Sequence, residues 1–206
     1  MRTVGIDVGA RALHLVSLDG DARVVDTATL AATDPDAAVA FADGAVAVAV
    51  DSPDRWSTAP HAGDETLAPK FRTARCGEVG LGRQQGIWVP WTTPVEPSPG
   101  TWIDAGIALF SALRAAGHEP VEVYPHAVFR VLHDGRRPLN KRTAEGRHLR
   151  AALLRAAGVA CPALERWGHD ALDAAAAALV ALRRAQARAR PVTCGHDGTA
   201  IWLPAS

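Results

Sequence analysis

Three acidic residues interrupt otherwise hydrophobic segments of the sequence. Asp7 lies in TVGIDVG, Asp51 ends AVAVAVD, and Glu122 separates two valines in VEVYP. A carboxylate within an apolar strand is unfavourable unless it is paired, neutralised or bound to a cation. Because three such acids occur on three separate predicted strands, a shared cation explains them better than three independent core groups.

The small residues around two of these acids indicate where such a cation would lie. Side chains alternate between the two faces of a strand. Two glycines therefore share the face of Asp7, and two alanines share the face of Asp51. That face has room for an ion or for a closely packed helix.

A second acidic motif begins the alanine-rich segment HDALDAAAAALVAL. Asp170 and Asp173 are three residues apart and project from one face of the predicted helix, although Asp170 alone is also a typical helix N-cap. The alanines after Asp173 permit close approach to a sheet, which would bring Asp173 over the strand carboxylates. Carboxylate oxygens suit Mg²⁺ or Mn²⁺ rather than zinc. Two such ions can activate water and stabilise the leaving oxygen of a phosphodiester.

Basic residues could bind a phosphate backbone. The candidate substrate-binding residues are Arg72, Arg75, Lys141 and Arg147, with Arg142 and Arg150 in the same basic run. A structural pair of Arg75 with Glu78 and a solvated helix surface are the alternative interpretations.

Histidines and tryptophans add further candidates with ordinary alternatives. His126 and His169 could assist proton transfer or simply cap the ends of elements. The tryptophans that flank a Pro-rich loop could stack on bases or pin that loop to the core; they are Trp88, Trp91 and Trp102.

Hydrophobic patterning predicts the elements that position these residues. Three antiparallel strands open the chain, and Asp19-Gly20 predicts a two-residue hairpin turn between the second and third. A helix after Asp34 leads to the strand at 45–50, which has no polar residue and is typical of a parallel sheet covered on both faces. Residues 52–100 are irregular, with a short helix near 75–85. The remaining predicted elements are helices at 102–116, 143–157 and 170–189 and extended segments at 121–124 and 200–203.

We therefore predict an α/β fold. A mixed sheet, built from three antiparallel strands followed by parallel strands, is flanked by helices. Residues 1–206 form a single domain with a loop-rich insertion around 52–100.

Composition restricts the class of protein. The chain of 206 residues has zero net charge, but its first 65 residues hold 4 Lys and Arg against 11 Asp and Glu. This asymmetry suits an acidic centre facing a phosphate-binding surface, and equally two solvated surfaces of opposite charge. No run of about 18 apolar residues predicts a membrane span. The three cysteines, Cys76, Cys161 and Cys194, lack metal-ligand spacing and are expected to be unpaired thiols in a cytoplasmic protein.

The order of the motifs resembles that of a known family. GIDVG, VDSP, KFRTARCGE, EVYPHAVFRVL, NKRTAEGRHLRAALL and HDALDA are together similar to the "domain of unknown function 429" family, over nearly the whole chain. That family is predicted to comprise RNase-H-like nucleases. The final motif also resembles the C-terminal helix of RuvC-type resolvases. The resemblance implies an RNase-H-like fold, with metal ligands at Asp7, Asp51, Glu122 and Asp173, and Asp170 as a fifth acid of the site.

The leading hypothesis is a Mg²⁺- or Mn²⁺-dependent nuclease that acts on DNA or RNA by a two-metal mechanism. Because fold membership alone does not confer activity, one alternative is an RNase-H-like module that binds nucleic acid or a partner without cutting. A small-molecule kinase of the actin-like superfamily is disfavoured, since the sequence lacks a second, similarly built domain. No membrane partner is expected, and the oligomeric state is left open, with a homodimer among the options.

Overall fold

The computed structural model describes residues 1–205. Within that range, seven strands form one sheet: β1 (Thr3–Val8), β2 (Ala12–Leu18), β3 (Val24–Ala31), β4 (Ala47–Asp51), β5 (Val121–Val123), β6 (Ala189–Val192) and β7 (Ile201–Pro204). Their order is β3-β2-β1-β4-β5-β7-β6. Strands β1, β2 and β3 are antiparallel neighbours, and β4, β5 and β7 continue the sheet in parallel pairs. The predicted mixed sheet is confirmed.

Helices cover both faces of this sheet. They are α1 (Pro35–Ala42), α2 (Cys76–Gln85), α3 (Trp102–Ala115), α4 (Pro125–Leu132), α5 (Ala144–Ala156) and α6 (His169–Ala185). Side chains of Asp34, Thr101 and Thr143 accept hydrogen bonds from the first turns of α1, α3 and α5, as N-caps do. The predicted starts of these helices are therefore correct within a residue or two. In the described range, no helix has both the length and the apolar character that crossing a membrane requires.

Two elements differ from the prediction. Helix α4 was not predicted, although Pro125 in its first turn is a recognised start signal. The predicted helix at 170–189 is too long, because α6 ends at Ala185 and β6 begins at Ala189. Strand β6 pairs antiparallel with β7 at the edge of the sheet. This pairing within the β6–β7 hairpin overrides the helix propensity of the alanine- and arginine-rich segment.

The alanine-rich helix α6 packs directly on β1. A Cβ atom added to Gly5 would lie 2.0 Å from the backbone nitrogen of Ala178 and 2.2 Å from the carbonyl oxygen of Ala174. Backbone therefore approaches backbone with no side chain between them. The small residues predicted to admit a close helix do so, and this packing brings the first turns of α6 over the ends of β1 and β4.

The sheet separates two cores. Ala47 and Ala49 of β4 belong to the core beneath α6. Val48 and Val50 belong to the opposite core, beneath α1 and α3. Successive residues of a strand thus serve different layers, so the position of a residue along β4 or β5 decides which layer it reaches.

The expectation of unpaired cysteines is wrong for two of the three. Cys76 at the start of α2 and Cys194 after β6 form a disulfide. Cys161 is free. The paired cysteines are separated by 118 positions in the sequence, so their proximity arises from the tertiary fold and could not be inferred from spacing.

Candidate metal centre

Three of the predicted ligands converge at the end of the central strands. Asp7 and Asp51 are direct partners in the parallel pairing of β1 with β4, so their side chains emerge on the same face. Asp173, on the second turn of α6, meets them from above the sheet. One carboxylate oxygen from each of these residues lies within 4.8 Å of the others. We call this group the three-acid cluster.

Burial and mutual repulsion disfavour full ionisation of the cluster. Desolvation, reinforced by the nearby charges of Asp173 and Asp170, raises the pKa of Asp7 to about 8. Burial and then the charges of Asp7 and Asp173 raise the pKa of Asp51 well above its usual value. Lys141 opposes both shifts but does not cancel them. A cation would offset both effects, because its charge stabilises the carboxylates that burial and mutual repulsion otherwise keep protonated.

Two basic side chains hold Asp173 in place. Arg150 Nη1 lies 2.5 Å from Asp173 Oδ1, and Lys141 Nζ lies 2.6 Å from Oδ2. Arg150 is buried, with its guanidinium over the ring of Phe129, so it is a fixed part of the site. Lys141 is 38% exposed and can reach both the acids and the solvent. A lysine that the sequence suggested for phosphate binding thus lies against the three-acid cluster.

Asp170 stands at the edge of the site. Its carboxylate lies 2.6 Å from His169 Nδ1 and 3.8 Å from His14 Nε2, and its side chain is 41% exposed. It lines the same cavity as the cluster and is outside the close group of three. The structure thus places the predicted fifth acid near the centre, beside two histidines.

Glu122 does not join the cluster, because the strand register points it to the other face of the sheet. Glu122 pairs with Val50 in the β4–β5 ladder. Residues paired in this way share a face, and Val50 and Asp51 point to opposite faces. The Glu122 carboxylate instead receives two hydrogen bonds from Arg75, at 2.6 and 2.7 Å. A predicted metal ligand therefore forms a bidentate ion pair.

Arg75 completes a buried network on that face. Beyond Glu122, its guanidinium lies 3.4 Å from Asp54 and 3.5 Å from Glu78. The Arg75 side chain is only 1% exposed, so a phosphate backbone cannot reach it. The alternative interpretation of a structural Arg–Glu pair describes this residue better than substrate binding does.

The other two candidate arginines also lie apart from the acids. Arg72 Nε donates a hydrogen bond to the carbonyl oxygen of Leu67. Arg147 Nη1 donates to the carbonyl oxygen of Arg142. Neither Arg72 nor Arg147 is among the described residues that line the cavity over the cluster.

A cavity of about 940 Å³ opens over the three-acid cluster. Its lining adds basic and aromatic side chains to the acids: Arg137, Lys141, Arg142, Trp91, Trp102 and Tyr124. The rings of Trp91 and Trp102 meet edge to face, with centroids 4.7 Å apart, whereas Trp88 packs on Phe71. Sequence reasoning missed Arg137, although its neighbours in GRRPLNKR form a basic run that signalled it. His126 and His169, the candidate proton carriers, also line the cavity.

The raised pKa of Asp7 predicts an unusual stability effect in the absence of metal. Between the usual pKa of 3.8 and the folded value of about 8, the folded chain binds more protons than the unfolded chain. Its stability therefore falls as the pH rises through this window. Asn cannot ionise, so Asp7→Asn should escape that loss. Since one pKa unit corresponds to about 1.4 kcal/mol, we expect the variant to be more stable than the wild type by a few kcal/mol at the upper end of this window.

Urea unfolding in EDTA at a series of pH values measures this effect. The stability difference between Asp7→Asn and the wild type should be small at the acidic end and should grow steadily with pH. Asp36→Asn, an exposed change in α1, is the matched control and should show no such growth. A constant difference, or a variant less stable at every pH, would contradict the assignment of a raised pKa.

The family model agrees with the resemblance seen in the sequence. Two solved structures that this chain resembles are described as "Thermus thermophilus RuvC structure" and "T. thermophilus RuvC in complex with Holliday junction substrate". The first is 18% identical with a TM-score of 0.49, covering 98% of this chain and 100% of that chain. The second is 18% identical with a TM-score of 0.48, covering 98% and 99%. No curated protein matches the sequence. The family model described as "Protein of unknown function (DUF429)" matches residues 5–194, and the protein therefore belongs to the DUF429 family.

Proposed function

We propose that this protein is a nuclease that hydrolyses phosphodiesters of nucleic acid with divalent cations held by Asp7, Asp51 and Asp173. The observation that carries the proposal is the convergence of these carboxylates to within 4.8 Å. They come from two strands and a helix that are far apart in the sequence. Their shared position at the base of an open cavity makes them accessible to a substrate.

The residues of the cluster fit Mg²⁺ or Mn²⁺. All three donors are carboxylates, which are hard oxygen ligands that these ions prefer. The raised pKa of Asp7 reflects burial first and then the nearby charges of Asp173 and Asp170, and a bound cation would offset both. Bound ions of this kind activate water and stabilise the leaving oxygen of a phosphodiester. The strand pairing fixes Asp7 and Asp51, and Arg150 orients Asp173, so the donors are held in place before any ion arrives.

The other cavity residues support nucleic acid as the substrate class. Arg137 and Arg142 are exposed at the cavity and can bind phosphate oxygens. Lys141 can do the same beside the acids. The aromatic rings of Trp91, Trp102 and Tyr124 offer faces on which unpaired bases can stack. This combination of acids, basic residues and rings suits a phosphodiester with its neighbouring bases better than a small metabolite.

A cleavage assay with the full chain tests the proposal. Purified protein is incubated with single-stranded, duplex, hybrid and branched nucleic acids in Mg²⁺, in Mn²⁺ or in EDTA. We expect cleavage of at least one substrate that requires the metal. If the protein cleaves none of these substrates in either Mg²⁺ or Mn²⁺, the proposal of a nuclease is wrong. Salt-dependent binding without cleavage would instead select the non-catalytic binding module.

The basic cavity residues predict a measurable change in salt dependence. Removing one cation that pairs with a phosphate should reduce the slope of log affinity against log salt by about 1. We expect Arg137→Gln combined with Arg142→Gln to weaken binding at low salt and to lower the slope by about 2. Fluorescence anisotropy with a labelled oligonucleotide in EDTA measures both quantities without cleavage.

Arg72→Gln is the matched comparison, because Arg72 was predicted to bind phosphate but does not line the cavity. Its slope should equal that of the wild type. If Arg72→Gln lowers the slope and the double variant does not, the nucleic acid follows a different surface from the one proposed.

A further inference from the structure

A second group of metal-ligating side chains lies where three distant segments meet. His61 belongs to the irregular segment after β4, Cys76 begins α2, and Cys194 lies between β6 and β7. His61 Nε2 is 3.6 Å from Cys76 Sγ and 3.3 Å from Cys194 Sγ. One ligand atom of each residue lies within 4.8 Å of the others. These residues are not among the described residues that line the acidic cavity.

The surroundings of this group are those of a built site. His61 is only 5% exposed and Cys76 is fully buried. The backbone N–H of His196 donates to Cys76 Sγ at 3.3 Å, an interaction that also favours a thiolate sulfur. The ring of His196 lies beside His61, with centroids 6.1 Å apart. Two sulfurs and one imidazole from three positions therefore converge, and the exposed ring of His196 lies just outside this close group.

We propose that His61, Cys76 and Cys194, with the two cysteines reduced, bind a zinc ion, and that the exposed side chain of His196 turns toward the ion to supply the fourth ligand. Thiolate and imidazole are the ligands of structural zinc sites, where four of them bind in a tetrahedral arrangement. The contrast with the three-acid cluster is chemical: carboxylates alone select Mg²⁺ or Mn²⁺, and sulfur with imidazole selects zinc.

The sulfurs are paired in a disulfide in this structure, so zinc binding requires its reduction. A phosphine reductant supplies the two electrons that break the S–S bond. One water molecule gives its oxygen to the phosphine, which becomes the phosphine oxide, and its two protons to the sulfurs, which become thiols. Zinc then displaces one proton from each thiol and forms two Zn–S bonds. The same residues thus cross-link the fold either covalently or through a metal.

The position of the site explains what a zinc ion would do there. Residues 52–75 contain a short 3-10 turn at Pro69–Phe71 and no other helix or strand. A zinc ion at His61 would fasten this segment to α2 and to the β6–β7 hairpin. Structural zinc sites contribute folding energy in this manner, because the ligands are brought together only in the folded chain.

Zinc titration of the reduced full-length chain tests the proposal independently of any nuclease activity. The protein is treated with a phosphine reductant, freed of metal and titrated with zinc against a chromogenic chelator. We expect one high-affinity zinc per chain. Cys76→Ser, Cys194→Ser and His61→Ala should each weaken binding by more than about a hundredfold, because changes to residues that merely support metal ligands already cost about 10–100-fold. Cys161→Ser should bind zinc as the wild type does.

Cobalt substitution keeps the proposal testable if a variant fails to fold. Co²⁺ bound to the reduced wild-type chain should show thiolate-to-cobalt charge-transfer absorption and the intense visible bands of tetrahedral coordination. Those visible bands should change in His196→Ala. Reduced wild-type protein that binds zinc no more tightly than Cys76→Ser, or that gives Co²⁺ no thiolate band, would overturn the proposal and leave a disulfide only.

Discussion

Asp7→Asn is expected to reduce metal-dependent cleavage by more than about a hundredfold, because even changes to residues that only orient metal ligands cost about 10–100-fold. Asn keeps the size of the side chain and removes its charge. Asp7 is the partner of Asp51 across β1 and β4, so its loss halves the charge that the sheet contributes to the cluster. Initial cleavage rates at saturating Mg²⁺, with Mn²⁺ affinity from calorimetry, measure the effect.

Two comparisons separate loss of a ligand from loss of the fold. The same variant should be more stable than the wild type in EDTA at neutral and mildly alkaline pH, so its inactivity cannot be ascribed to unfolding. Asp36→Asn should retain full activity. Asp170→Asn should lose less activity than Asp7→Asn, since Asp170 lies outside the close group of three. An Asp7→Asn protein that cleaves at the wild-type rate would remove the cluster from the mechanism.

Glu122→Ala is expected to destabilise the fold by about 3–5 kcal/mol, the usual cost of removing one partner from a buried ion pair. The substitution leaves the Arg75 guanidinium buried with its bidentate partner gone. Asp54 and Glu78 remain at 3.4 and 3.5 Å, which favours the lower end of that range. Urea unfolding of the wild type and the variant at neutral pH measures the difference.

The same variant tests whether Glu122 acts as a metal ligand. In the folded Glu122→Ala protein, Mn²⁺ affinity should match that of the wild type, because Glu122 projects from the opposite face of the sheet. Glu119→Ala is the matched control: its side chain is 90% exposed, 3.7 Å from Arg184, and its removal should leave stability nearly unchanged. A stable Glu122→Ala protein with weakened Mn²⁺ binding would return Glu122 to the ligand set.

Local pattern in the sequence was sufficient for most of the fold. The strand periodicity around Asp7 and Asp51 and the start of α1 after Asp34 depend on neighbours within a few positions. The hairpin at Asp19-Gly20 was also predicted, but its loop is longer than the expected two residues, because the backbone N–H of Asp19 donates to the carbonyl oxygen of Arg23. Small residues also predicted the close packing of a helix on the sheet. Gly5 and the alanines after Asp173 leave no side chain between α6 and β1, so the two backbones can touch. The sequence alone was therefore sufficient to predict that Asp7, Asp51 and Asp173 lie close together.

The tertiary structure alone decided which face Glu122 occupies and which groups surround it. Alternation in VEV places Glu122 on the opposite face from its two valines, whichever residues of β4 it pairs with. A shift of one residue in that pairing would move the carboxylate to the other side of the sheet. The observed pairing of Glu122 with Val50 places its carboxylate on the face of the sheet where Arg75 lies. The meeting of His61, Cys76 and Cys194 likewise depends on how irregular segments pack, and no short-range pattern encodes a pairing across 118 positions. Local periodicity sets the faces of each strand, whereas register and loop packing are properties of the whole chain.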